Sequence, residues 1–230
     1  LSPDEVHVWP IKLEASAAQF SSLSRLLSED EKRRAESFKF ERHSRAFVIS
    51  RGFLRLILAD YLRQSPESIA FTYGLKGKPG LTPSSIKFNL SHSEDMALLA
   101  LTSGVEIGVD LEKIRPMNDL DNIARRFFSE QECHDLMNLT PSSRNHAFFN
   151  CWTRKEAFLK ATGDGLSAPL DQFQVTLLPN QEARLVHVCQ NVDEARTWTI
   201  HDLSLLPGFA AAIAYRAPVK KLQIREVRED

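Results

Sequence analysis

The hydrophobic positions of this chain follow two periods. Over Phe47–Leu62, FVISRGFLRLILADYL, apolar residues recur at helical spacing, Phe47, Leu54, Leu58 and Tyr61 among them. Over Ala147–Thr162, AFFNCWTRKEAFLKAT, similar spacing predicts a second helix. SPES breaks the first helix and GDG ends the second. The runs IAFTY, MALLALT, FQVTLL and FAAAIAY predict strands, with GLKGKPG and FNLSHS lying between the first two. Corresponding elements lie about 100 to 113 positions apart, although letter identity between them is poor. This repeat of element order predicts two similar α+β halves meeting near Gly104, with a site in the seam. No Gly/Ser/Pro linker marks the boundary and no segment is of low complexity.

IGVDLEK, Ile107–Lys113, reads as a strand with an anomaly. Alternation puts Ile107, Val109 and Leu111 on one face and Gly108, Asp110 and Glu112 on the other. Adjacent carboxylates repel each other. A cation between them removes that repulsion, and Gly108 is expected to leave room for a ligand. Hard oxygen ligands at this spacing suit Mg²⁺, which takes one or two protein carboxylates together with phosphate oxygens. A solvated strand edge produces the same Asp-x-Glu pattern.

Composition narrows the class. The chain has 230 residues and a formal net charge of −1, which gives no reason to propose bulk nucleic-acid or membrane binding. No apolar run approaches a membrane span and no secretory pattern opens the sequence. It opens on Leu1 rather than Met, so a preceding native stretch is expected. Cys133, Cys151 and Cys189 are odd in number and lack CxxC spacing, which argues against disulfides or zinc and for a reducing, cytoplasmic setting. Charge is uneven. Residues 32–55 hold eight Lys or Arg against two Glu, whereas 105–135 hold eight Asp or Glu against four Lys or Arg. Either these are solvated faces, or an anion site in the first half faces a metal site in the second.

Three further segments carry candidate chemistry. In WTRKEAFLK, Trp152, Glu156 and Lys160 are four apart on one helix face, continuing the line of Phe148. An acid and a base on an apolar edge are costly unless paired or used. In FNLSHS, Phe88 and Leu90 alternate with Asn89 and Ser91, and His92 follows; a His and a Ser at a strand end can donate to phosphate oxygens. In GLKGKPG, glycines flank Lys76 and Lys78, as in a phosphate cradle or an ordinary surface turn. The spacing fits neither a Walker A loop nor GxGxxG, and no Ser-His-Asp triad is indicated.

In this order, the arginine-bearing helix, GKP, FNLSHS, IGVDLEK, RRFFSEQE and WTRKEAFLKATGDGL resemble the 4′-phosphopantetheinyl transferase superfamily, from about Leu27 to Leu178. The larger, surfactin-synthetase-activating (Sfp) type fits better than the short holo-acyl-carrier-protein-synthase type. The resemblance implies an α+β fold of two similar halves related by a pseudo-twofold axis. Residues 1–104 would bind coenzyme A, and 105–230 would bind the metal and carry catalysis. It implies transfer of 4′-phosphopantetheine from coenzyme A to a serine of an apo acyl or peptidyl carrier protein, releasing adenosine 3′,5′-bisphosphate. Asp110, Glu112 and Glu156 become the ligands of Mg²⁺, or of Mn²⁺. Lys160 and His92 contact the phosphates. Lys78, Ser91 and Arg45 hold the coenzyme, with Lys32 and Arg51 as further contacts. Either Glu132 or Glu156 is the general base. Phe127 and Phe128 are candidate carrier contacts, or core residues. A monomer is expected, because one chain already builds the seam. A non-catalytic coenzyme-binding protein and a Mg²⁺-dependent phosphohydrolase are the competing readings.

Overall fold

A computed structural model describes residues 1–74, 76–163, 165, 169–203 and 205–227. Leu75 of GLKGKPG and Asp164 and Leu166 of the GDGL stretch lie outside the described residues. The first half runs β1 (Glu5–Lys12), α1 (Ala17–Arg25), α2 (Glu29–Glu36), α3 (Glu41–Leu62), the short strands β2 (Thr72–Tyr73) and β3 (Pro79–Gly80), then β4 (Ile86–Ser93) and β5 (Met96–Ser103). The second runs β6 (Ile107–Lys113), α4 (Leu120–Phe127), α5 (Glu130–Met137), α6 (Pro141–Thr162), β7 (Phe173–Val175), β8 (Leu185–Val188), α7 (Val192–Ala195), β9 (Thr199–Asp202), β10 (Phe209–Tyr215) and β11 (Lys221–Ile224).

The fold is α+β, with the repeat written into its sheets. One sheet has the order β11-β1-β5-β4 and the other β6-β10-β9. Without β11, which pairs parallel to β1, the two have the same order and are wholly antiparallel. Their inner faces share one apolar layer, in which Val6, Val8, Leu98 and Ala100 meet Ile107, Val109, Leu111 and Ile213. On the outer face of the first sheet, α3 buries Ile49, Leu54 and Leu58 against Leu99 and Leu101. On the outer face of the second, α6 buries Phe148, Ala157 and Ala161 against Ala210, Ala212 and Ala214. The result is helix, sheet, sheet, helix, with each strand's alternation deciding which layer it feeds.

Both long helices have 22 residues and end in a left-handed residue, Arg63 at φ 54° and Gly163 at φ 82°. Each starts upstream of its apolar stretch, at Glu41 and Pro141, because polar first turns carry no core-facing signal. IAFTY is a strand only over Thr72–Tyr73, and FQVTLL only over Phe173–Val175. FNLSHS forms the end of the full strand β4, as its alternation suggests. Its even positions Phe88 and Leu90 pack with the α3 layer, while Asn89, Ser91 and Ser93 turn toward β6. No helix among the described residues is long and apolar enough to cross a membrane.

Candidate active site

The site forms where β4, β6 and α6 meet. Asn89 Oδ1 accepts the Val109 N–H at 2.8 Å, and Ser93 Oγ accepts the Lys113 N–H at 3.0 Å. Side chains of β4 therefore close the edge of β6 that β10 leaves open. This seats β6 between the halves and turns Gly108, Asp110 and Glu112 toward α6. Gly108 serves a different purpose from the one expected of it. A Cβ there would overlap the Ala157 carbonyl oxygen and stand 2.5 Å from the Ala161 nitrogen. The space is filled by helix backbone, not ligand, and it is what lets α6 lie directly on the strand.

That approach brings Glu156 and Lys160 to the strand carboxylates. Asp110 Oδ1 accepts Lys160 Nζ at 2.6 Å and Ser91 Oγ at 3.0 Å, and Lys160 Nζ also donates to Ser91 Oγ at 3.0 Å. Ser93 Oγ donates to Glu112 Oε2 at 3.0 Å. Asp110 Oδ2 and Glu156 Oε1 are buried with no hydrogen-bond partner. Burial, then the Asp110 charge and the Glu112 charge against an opposing Lys160, push Glu156 up to about 7. Burial and then Asp110 also raise Glu112. Glu112 and Glu156 thus both feel the Asp110 charge, as expected of neighbouring acids. Among the described residues, no three His, Cys, Asp or Glu side chains close around one point at metal-ligand spacing. The two orphaned oxygens are nevertheless the hard, anionic donor type that a divalent cation takes.

His92 is exposed at the end of β4. Partial desolvation and then the nearby Lys160 and His43 lower its pKa, opposed by its own backbone and by Asp110. His43, exposed in the first turn of α3, acts on His92 and is not among the residues the sequence pointed to. Asn89 and Ser93 were missed too, although their two-residue spacing with Ser91 was visible.

Other expected residues lie outside the acid cluster. Glu132 is fully buried as the third residue of α5. Its oxygens accept the Ser129 N–H at 2.7 Å, the Val175 N–H at 2.7 Å and Lys155 Nζ at 2.8 Å. It holds a helix start, a strand and a lysine together, and is not brought to the acid cluster. Arg51 is buried beside Glu31 (2.9 Å), donates to Tyr73 Oη and stacks over Phe71. Lys32 pairs with Glu29 along α2. Arg45 lies over the Phe20 ring. Phe128 is core, tilted against Phe148, while Phe127 packs edge-on to a half-buried Trp152. Lys78 Nζ meets the Glu106 carboxylate at 3.1 Å, the Ile107 carbonyl at 3.0 Å and the Lys160 carbonyl at 2.8 Å.

Residues 106–214 match the family described as the 4′-phosphopantetheinyl transferase superfamily, and residues 12–104 match 4′-phosphopantetheinyl transferase, N-terminal. The chain is 40% identical over 218 residues to the 4′-phosphopantetheinyl transferase HetI of Nostoc sp., covering 93% of this chain and 89% of that one. The chain belongs to the 4′-phosphopantetheinyl transferase superfamily. It is an enzyme of that class and of its larger, Sfp-like type. The transferase is also 32% identical over 215 residues to psf-1 of Bacillus pumilus, with the same coverages of 93% and 89%. A solved structure, the holo-(acyl-carrier-protein) synthase of Thermotoga maritima, aligns with a TM-score of 0.40 at 20% identity, covering 49% of this transferase and 63% of that chain.

Proposed function

We propose that this transferase moves the 4′-phosphopantetheine of coenzyme A onto a serine hydroxyl of an apo acyl or peptidyl carrier protein, with Mg²⁺, and releases adenosine 3′,5′-bisphosphate. Family membership supports the reaction class. The observation that carries the rest is the pair of orphaned buried oxygens, Asp110 Oδ2 and Glu156 Oε1, beside a lysine. Asp110, Glu112 and Glu156 would hold Mg²⁺, or Mn²⁺, which supplies charge neutralisation on the donor's phosphates. Lys160 spends two N–H groups on Asp110 and Ser91 among the described residues, leaving the third for a phosphate oxygen. His92 and Ser91 line the same approach. Arg45 stands as a contact toward the 3′-phosphate.

In the transfer, the serine Oγ–phosphorus bond forms as the bond from phosphorus to the bridging pyrophosphate oxygen breaks, and that oxygen leaves with adenosine 3′,5′-bisphosphate. The serine proton goes to Glu156, the helix carboxylate of the cluster whose Oε1 has no hydrogen-bond partner. Glu132 is set aside as base because its oxygens are bound to two backbone N–H groups and Lys155. The same reading assigns residues 1–104 to coenzyme binding and 105–230 to metal binding and catalysis, in a cytoplasmic monomer. Sedimentation showing an obligate dimer would remove the last point.

The test is to incubate the protein with coenzyme A, Mg²⁺ and apo carrier proteins and read intact mass. The expected result is one added phosphopantetheine per carrier. Consumption of coenzyme A with the carrier left apo would replace transferase with phosphohydrolase, and no consumption at all would favour a binding protein.

A further inference from the structure

We propose that Lys78, on the short β2–β3 hairpin of the first half, is a positioning residue that clamps α6 onto β6, rather than a coenzyme contact; this rests on the transferase reading of the Asp110–Lys160 site. An ammonium has three N–H donors and no acceptor. At Lys78 all three have partners: Glu106 Oε2, the Ile107 carbonyl and the Lys160 carbonyl. No donor is left over for a phosphate.

The choice of acceptors gives the clamp its meaning. Ile107 opens β6, three residues before Asp110. Lys160 lies in the last turn of α6, where carbonyls have no partner within the helix and the dipole favours a cation. One ammonium therefore fixes how far α6 slides along β6. That slide sets the Lys160 Nζ–Asp110 Oδ1 contact of 2.6 Å and the place of Glu156 one turn earlier. The hairpin geometry aims the lysine: Gly77, at φ 79°, makes the turn, and the Gly74 N–H bonds the Lys78 carbonyl at 3.0 Å. Glu106 holds the clamp from outside and also binds Lys87 Nζ at 3.1 Å. Lys87 bonds neither backbone carbonyl, so it serves as the control for loss of charge.

The experiment measures kcat and the KM for coenzyme A for the wild type, Lys78→Met, Lys78→Arg and Lys87→Met, each well below its own melting temperature. Wild-type transfer to an apo carrier is the precondition, and its failure would fall on the proposed function, not on the clamp. The clamp predicts that Lys78→Met lowers kcat on the order of tenfold or more, as a small misplacement of reacting groups does. It leaves KM within about twofold. Lys78→Arg recovers part of kcat, and Lys87→Met keeps kcat within about twofold. A rise in KM with kcat retained in Lys78→Met would make Lys78 a coenzyme contact and overturn the clamp. Equal kcat losses in Lys78→Met and Lys87→Met, or no change in Lys78→Met, would overturn it as well.

Discussion

The two halves make the same crossing of strand and helix and fill it differently. Trp9 stands opposite Leu99 as Asp110 stands opposite Ala212, and His7 opposite Leu101 as Gly108 opposite Ala214. In the first half the crossing is plugged. Tyr61 of α3 bonds His7 Nδ1 at 2.6 Å and the Trp9 indole at 3.2 Å, and the central strand turns Leu99 and Leu101 to the helix. In the second half the equivalent positions are trimmed to Gly108, Ala161, Ala212 and Ala214. The helix backbone sinks onto the strand, and Glu156 and Lys160 reach Asp110. The outer edges differ too. The edge of β1 is covered by the backbone of β11, whereas that of β6 receives the serines and Asn89 of β4. The acid cluster thus arises in one half by removing bulk beneath a helix and borrowing polar side chains from the other half.

Elsewhere the halves agree, and that agreement gives the largest predicted effect. Ser28 and Ser129 each open a capping box whose third residue, Glu31 or Glu132, is buried and paired with a base from the long helix. Arg55 reaches Glu31 at 2.7 Å and Lys155 reaches Glu132 at 2.8 Å. Removing Lys155 leaves the buried Glu132 charge without a cation, so Lys155→Met should cost about 3–5 kcal/mol in a denaturant melt, and Arg55→Met, which leaves Glu31 its second partner Arg51, should cost less but still on the order of 1 kcal/mol or more. A loss confined to one half would break the equivalence.

The next prediction concerns where the halves diverge. Asp110→Asn should lower kcat on the order of a hundred- to thousandfold in the carrier-loading assay. At the counterpart, Trp9→Phe should leave kcat within about twofold. Comparable losses at both would deny that only one crossing is chemical. Gly108→Ala tests the close approach itself. Its Cβ has no room against Ala157 and Ala161, and overpacking of this kind costs about 1–3 kcal/mol. A variant with wild-type stability and rate would refute the role of that glycine.

The last effect is one of pH. Glu156 titrates near 7 in the fold against an ordinary value of 4.5, mainly through burial and then Asp110. The fold therefore favours its protonated form. This contribution to stability is complete below the ordinary value and is lost as pH rises through about 7. Metal-free protein should melt at lower temperature as pH rises from about 5 to about 8, and Glu156→Gln should flatten that slope. A slope unchanged in the variant would assign the effect to another group.

How much of this was legible follows from what a one-dimensional pattern encodes. The helix periods, IGVDLEK and FAAAIAY announced their elements, because each buries one regular face. β1 was not legible: EVHVWPIK mixes His, Trp and Pro into its alternation, and its buried histidine looks polar on paper. Asp110, Glu156 and Lys160 stood out as charges where burial was expected. Their neighbours did not, since alternation tells which residues share a face and not what covers it. Gly108 therefore suggested ligand space where helix backbone lies, and Glu132 suggested a base where a buried pair holds α5 to α6. Lys78 suggested a phosphate cradle because a lysine between glycines looks the same whether its ammonium faces a phosphate or a carboxylate and two carbonyls.

The central claim, that strand and helix carboxylates converge on one cation, is tested most directly by anomalous diffraction from Mn²⁺-soaked crystals of the coenzyme complex. The account predicts a single strong peak within coordinating reach of Asp110 Oδ2 and Glu156 Oε1. Bound coenzyme with no peak at those two oxygens, or with the ion held by other residues, would contradict it.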